Sequence, residues 1–330
     1  MMAFRFSEGG ADRAKCALRK VLNAAFLLPM LSAALASEIE DVAAESILDR
    51  TPVYAKIFIA APSFVITVDS PEIRKNYLLP NIKSSIGLAA EWERFGVSLS
   101  VPFGERDHPG KYGRTSNFDL QLRKYWERAA LEFYLQSYRG YYLKKLPSGC
   151  RRGDPCSLRP ELSVQHAGVN AHYVLDSAWS ILAAFGHSGY QKKSAGSWII
   201  SADFNALILD NDGPLQPGMD PSLDGGRFVS GAIVPGYGHT WVRGPWFVSP
   251  VLRLGIGVMH ADYSVIPGDQ DPGNDWLASF KVGLRLSGGY SGKTWRTGIQ
   301  IHGDALTPVH QDLVISSSTA YFEMFLTRHF

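Results

Sequence analysis

The chain has 330 residues with 33 basic and 31 acidic side chains, 32 glycines, 14 tyrosines, 8 tryptophans and only 3 cysteines. A net charge this near zero, with no run of clustered Lys and Arg, excludes a nucleic-acid groove built on positive charge. The length suits one large barrel or two ordinary domains.

The first 36 residues read as a secretory signal peptide. Arg13, Lys15, Arg19 and Lys20 precede the apolar run VLNAAFLLPMLSAALA, and the small residues Ala34 and Ala36 place cleavage before Ser37. That run is interrupted by Asn23, Pro29 and Ser32, too short and too broken for the roughly 20 apolar residues of a membrane helix. Cys16 lies upstream of the apolar core, outside a lipoprotein context. Removing the leader takes away five basic and two acidic residues, leaving 28 and 29 in a near-neutral mature chain. Residues 37–51 form a short periplasmic segment, and 52–330 the remaining domain.

From there the chain alternates apolar and polar residues with period two, the signature of strands with one greasy side. Val53–Ile59 and Phe64–Val68 are the weakest candidates. Ser85–Trp92 sends Ile86, Leu88, Ala90 and Trp92 one way, and Phe95 to Val101 continues that face after a tight turn. Asn117–Tyr125 sets Phe118, Leu120 and Leu122 against Asp119, Gln121 and Arg123. Ala129–Tyr142, Trp198–Asp210, Phe247–Tyr263, Trp276–Ser287 and Thr319–Phe330 repeat the pattern. Several approach the ~9 to 11 tilted residues that cross a bilayer, against the ~5 to 6 of an ordinary strand. The expected fold is all-β: a transmembrane antiparallel up-and-down barrel of about 12 strands, range 10 to 14, with apolar faces turned to lipid and polar faces to a lumen.

Loops give the orientation. Asn211–Gly226 is long, Val242–Gly244 short, Pro267–Asn274 moderate, Gly288–Gly292 tight and Ala305–Ser316 long. This alternation puts the carboxyl end in the periplasm and the long loops outside. Counting forward from the cysteine-bearing loop puts Asn211–Gly226 on the wrong side, so either a strand is miscounted or one long connection is periplasmic. Cys150 and Cys156, within LPSGCRRGDPCSLRP, are expected to form a disulfide in an exported protein. With no neighbouring histidine they make no metal site, and no cofactor is called for. Phe330 ends the last strand, where a terminal aromatic is expected to serve as the assembly signal.

LLPN at Leu78–Asn81, IGLAAEW, NFDLQLRKYW, YLQSYRGYYL, VNAHYVLD and above all QKKSAGS at Gln191–Ser197 resemble the outer-membrane barrels grouped as domain of unknown function 4421. The likeness runs from about Tyr54 to Phe330. It implies a barrel architecture and an outer-membrane location in a Gram-negative cell. It supplies no catalytic residues, because that family carries no settled activity.

The candidate site is therefore the lumen. Period two sends Asp119, Arg123, Glu132, Asp203, Arg253, Lys281, Arg285, His302, Asp304 and Glu323 to one interior holding both signs of charge. Ion pairs through Arg123, Arg253 or Arg285 are expected to narrow it. Gln191, Lys192, Lys193, Ser194, Ala195, Gly196 and Ser197 are the candidate constriction, folded over one mouth, with a flexible turn between long strands as the alternative. Tyr134, Tyr138, Tyr141 and Tyr142 are expected in an interfacial girdle rather than a sugar-stacking track. Asp210, Asp212, Asp220, Asp224, Asp262, Asp269, Asp271 and Asp275 load the outer loops and read as solvated charge.

FGHSGY at Phe185–Tyr190 resembles a nucleophile elbow, but Tyr190 stands where that motif needs glycine, which leaves Ser188 a serine at a strand end. His172 with Asn170, and His302 with Gln300 and Asp304, could supply a triad on paper. The function expected is an outer-membrane barrel of unassigned activity, structural or a narrow conduit for a small solute. Its partners are outer-membrane lipid, lipopolysaccharide and the barrel assembly machinery. The alternative from another class is an outer-membrane lipid-modifying hydrolase.

Overall fold

A computed structural model describes residues 47–48, 53–69, 75–104, 106–185, 189–213, 215, 222–266, 273–292, 294–309 and 314–330. The expected leader and most of the segment after it lie outside these residues, as do Ser188, Asp220, Asp269 and Asp271. Among the described residues no helix is long and apolar enough to cross a membrane.

The chain winds as antiparallel neighbours: β1 (Val53–Asp69), β2 (Asn76–Pro80), β3 (Ser84–Trp92), β4 (Phe95–Phe103), β5 (Ser116–Tyr125), β6 (Ala129–Leu143) and β7 (Leu158–Val174). It continues through β8 (Ala195–Asp210), β9 (Ser222–Ile233), β10 (Gly236–Arg243), β11 (Trp246–Ile266), β12 (Gly273–Ser291), β13 (Trp295–Pro308) and β14 (Val314–His329). β14 pairs with β1 from His329↔Tyr54 to Val314↔Asp69, closing the ring. β9 and β10 occupy one place in the wall, because their pairing with β8 and with β11 keeps one register across the junction and Val234 exchanges two backbone hydrogen bonds with Ser201. Pro235 merely interrupts the ladder there. With β2 set aside, the wall has the twelve strands expected.

Alternation fixes which face is which. Along β3 the burial pattern alternates residue by residue, and the outward set includes Leu88 at 66% exposure, Ile256 at 68% and Phe280 at 58%. A continuous apolar exterior of this kind is anomalous in water and suited to hydrocarbon. Trp92, Trp198, Trp246, Trp295 and Phe330 are exposed beside the short turns at the end where Phe330 N–H bonds Val53 C=O. They form an interfacial aromatic rim. The two-residue turn Glu93–Arg94 at this end has φ of 47° and 69°, the left-handed pair that matches hairpin twist.

The other end tapers. β3, β4 and β5 stop short, and the brief strand β2 replaces them, pairing with β1 at Ile66–Val68 and with β6 at Tyr141–Leu143. Twelve strands less three plus one leaves ten around this rim. Between its partners β3 and β2, β1 passes five residues, Ala61–Val65, with no strand paired on that side; Pro62 among them has no N–H to satisfy. Asn81 ties the step: its side chain donates to the carbonyls of Asp107 (3.0 Å) and Gly113 (2.7 Å) and accepts from Asp107 N–H (2.8 Å). Gly140, at φ 91° in the β6 bulge, sits where a Cβ would lie 2.1 Å from the Arg114 carbonyl oxygen, so only glycine fits.

Cys150 and Cys156 form a disulfide in the β6–β7 loop, with Cα atoms 6.1 Å apart. Both thiols are thereby spent, and the neighbouring Asp154 gains no thiolate with which to share a metal ion.

Candidate functional site

The lumen is stacked in three layers. At the tapered, long-loop end the inward residues are apolar: Phe64, Ile66, Val68, Leu162, Val164, Leu209 and Leu215 join one buried cluster. Leu215 comes from the β8–β9 loop and is fully buried, its carbonyl accepting from Arg159 Nε at 2.8 Å. Tyr138 and Tyr141 point into this layer, each at 2% exposure, rather than outward to an interfacial girdle, while Tyr142 packs against Tyr112 and Arg152. The reason is local: the lumen here is itself apolar, so an aromatic body is as well placed inside as outside.

The middle layer carries charge. All ten side chains singled out from period two lie on the inward face, and most meet a partner. Arg285 forks onto Glu132, its two terminal nitrogens at 3.4 and 3.2 Å from the two carboxylate oxygens. Arg123 Nε lies 3.6 Å from the same carboxylate. Arg253 bridges Asp203 at 3.4 Å and Asp304 at 3.0 Å; Lys281 Nζ holds Asp203 at 2.7 Å, and His302 hydrogen bonds Asp304. Asp119 instead accepts from the amides of Gln136 (2.9 Å) and Gln121 (3.1 Å). Glu323 pairs with Lys56 at 2.8 Å, a partner that the inward period of β1 could have supplied. Charges this deep are tolerated because each is paired or hydrogen-bonded; a lone one would be costly.

The third layer closes the end bearing Phe330. Between β7 and β8 the chain turns into the barrel and places the short helix Ile181–Ala184 across it, capped by Ser180 Oγ, which accepts from Ala183 N–H. Trp179 is fully buried and donates through Nε1 to Thr240 Oγ1 at 2.9 Å. Arg296 donates to the carbonyls of Gly189 (2.6 Å) and Ala183 (2.8 Å), and Ser287 to that of Ala184 (2.6 Å). The bonds to Ala183 and Ala184 reach carbonyls at the helix end, and the one to Gly189 ties down the chain that follows it. Phe185 lies 3.7 Å beneath the Arg285 guanidinium, joining plug to charged layer.

The plug therefore lies upstream of the QKKSAGS segment. Of that segment, Gln191 is buried and locks the plug, accepting from Ser180 N–H at 2.8 Å and donating to the Ala178 carbonyl at 2.6 Å. Lys192, Lys193 and Ser194 are exposed, while Ala195, Gly196 and Ser197 are wall residues of β8. Burying the apolar run Trp179–Phe185 is favourable, whereas burying two unpaired lysines is not. A serine cap directly before an apolar run was the signal available in the sequence.

A Ser–His–Glu chain is also present, with His172 Nδ1 2.8 Å from Ser201 Oγ and Nε2 3.5 Å from Glu132. Ser201 is 1% exposed and Glu132 is committed to two arginines. No ester could reach that hydroxyl, so the chain works as interior hydrogen bonding. Between the two seals a cavity of about 90 Å³ remains, walled by Leu207, Phe228, Met259 and Ile315 on one side and by Asn170, Tyr321, Lys281 and Arg285 on the other.

A family model described as a domain of unknown function (DUF4421) matches residues 49–326. No curated protein matches the sequence. Among solved structures, the outer membrane protease OmpT from Escherichia coli is similar at 8% identity and a TM-score of 0.38, over 86% of this chain and 99% of that one. The toluene transporter TodX from Pseudomonas putida gives 8% and 0.31, over 86% and 91%. An outer membrane channel from Pseudomonas putida F1 gives 12% and 0.33, over 88% and 100%. At these identities no activity carries across.

Proposed function

Because the chain belongs to the family of domain of unknown function 4421, which lends it no catalytic residues, we propose its function from the barrel itself: an exported outer-membrane protein that is closed at rest and admits a small solute through a narrow, gated lumen. The observation that carries this reading is the stacking of the lumen, an ion-paired middle layer with a cavity, sealed on one side by apolar side chains and on the other by the Trp179–Phe185 plug. The apolar exterior and aromatic rim support placement in the outer membrane, against lipid and lipopolysaccharide, with assembly by the barrel assembly machinery. The plug end then faces the periplasm and the disulfide loop the exterior.

Planar-bilayer recording tests it. The native protein should show little steady conductance, and Trp179→Ala combined with Arg296→Ser, which removes two anchors of the plug, should raise it severalfold. Large stable currents from the native protein would make it an open pore; silence from the variant, refolded normally, would leave a purely structural barrel.

A further inference from the structure

The cavity between the seals is two-sided, and its polar side is selective. Every charged side chain lining it already holds an opposite charge: Glu132 with Arg285, Lys281 with Asp203, and Asp304 with Arg253 and His302. A charged ligand would have to displace one of these partners and leave it buried and alone, which is strongly unfavourable. Hydrogen-bonding capacity, by contrast, is left over. Asn170 lines the cavity at 6% exposure, and its Oδ1 has no hydrogen-bond partner among the described residues. A buried amide oxygen left unmet is uncommon and is relieved by any donor brought to it. Toward the long-loop end the lining is apolar, with Leu207, Phe228, Met259 and Ile315, members of the cluster that seals that end.

From this we infer that the cavity is a binding site for a small, uncharged molecule with a short apolar body and one hydroxyl-like donor, the donor directed to Asn170 and the body against Phe228 and Met259. Since a protein cavity of roughly 150 Å³ takes the six carbons of benzene, about 90 Å³ accommodates about four non-hydrogen atoms. The inference rests on the closed-lumen reading and adds to it the class of solute.

The test uses 1-propanol on the full-length protein in lipid nanodiscs, the probe being present from refolding onward so that slow access cannot mask binding. Saturation-transfer NMR should give a saturable signal, and neither propionate nor propylammonium should compete with it. Asn170→Leu should weaken binding about tenfold. Ser230→Phe, or Ser317→Phe should the first fail to refold, fills the cavity and should abolish the saturable signal. Propionate or propylammonium binding as well as the alcohol overturns the inference, and so does propanol uptake unchanged by the cavity-filling variant, which is lipid partitioning alone. No saturable binding to a native barrel that conducts nothing sinks this site and spares the closed lumen. Binding to a barrel that conducts freely does the reverse.

Discussion

Replacing Glu132 by alanine is the sharpest perturbation of the charged layer. Its carboxylate receives the Arg285 fork at 3.2 and 3.4 Å, lies 3.6 Å from Arg123 Nε and accepts from Tyr125 OH at 3.3 Å. With Glu132 removed, two guanidiniums about one site lose their shared counter-charge while the barrel wall keeps them from bulk water. Breaking one buried pair costs about 3 to 5 kcal/mol, so a loss of about 4 kcal/mol is expected; at a urea slope of about 2 kcal/mol per molar it lowers the unfolding midpoint by about 2 M. Glu132→Gln keeps an acceptor for the same donors and should lose about half as much. The double variant Glu132→Leu with Arg285→Met removes a charge of each sign together and should be more stable than Glu132→Ala alone. Urea titration of the refolded barrel, followed by tryptophan fluorescence and heat-modifiable mobility, measures all three. A Glu132→Ala midpoint lowered by less than about a quarter of the expected shift, or a double variant whose loss is the sum of the single ones, would refute the argument that the pairing holds this layer.

Ile256 is 68% exposed at the middle of β11 and touches lipid rather than lumen, so Ile256→Arg should cost about 2 to 4 kcal/mol on folding into vesicles; a neutral outcome would deny the membrane-facing wall. Gly140→Ala forces a Cβ to within 2.1 Å of the Arg114 carbonyl oxygen at a φ of 91° and should lower the urea midpoint by an amount worth at least about 2 kcal/mol. The disulfide closes a ring of sequence separation 6, so Cys150→Ser with Cys156→Ser should cost at most about 2 kcal/mol; intact-mass analysis of the native protein should show two mass units missing until it is reduced. Ser201→Ala removes the hydroxyl beside His172 and should cost about 1 kcal/mol while leaving ester hydrolysis at the buffer background, and a hydrolytic rate that falls with it would reinstate the triad.

The outward faces were plain in the sequence because lipid demands an unbroken apolar row: Leu252, Leu254, Ile256 and Val258 alternate with Arg253, Gly255 and Gly257, and that parity alone puts Arg253 inside. Parity was silent where both faces are apolar. In Phe64–Val68 and at Tyr138 and Tyr141 the lumen is as greasy as the bilayer, so a rule that sends polar residues inward misplaces the tyrosines. Pro62 made β1 read as two segments, yet it sits in the five-residue gap between β3 and β2 where no donor is needed on that side. The long connection that upset the loop count is the plug itself. β7 is a single strand of 17 residues, so the connection after it returns to the Phe330 end, and the disulfide loop and the Asn211 loop share the other. Ion pairs between particular residues, such as Lys56 with Glu323, depend on register across 267 positions of chain, which single-strand periodicity does not contain.

The layering bears on why charge is retained in a lumen that could be filled without it. Replacing a buried ion pair by apolar side chains of similar volume is often neutral or stabilising, and this barrel already shows apolar filling at its long-loop end and again around Trp179 and Phe185. A barrel kept only for its walls would gain by extending that filling through the middle. Instead the middle holds Glu132, Arg285, Asp203, Arg253, Lys281 and Asp304, and it is there, not within either seal, that about 90 Å³ stands open. Losing a partner from this layer is costly, but one exchange inside it keeps every charge paired: Arg253 touches both Asp203 and Asp304, and Lys281 also holds Asp203. Partner exchange of that kind widens a lumen without ever leaving a charge bare, whereas parting an apolar seal exposes surface worth about 25 cal/mol per Å². On the proposed gated reading, the part expected to move is the ion-paired middle together with the plug that Arg285 touches through Phe185, and the long-loop seal is expected to stay in place.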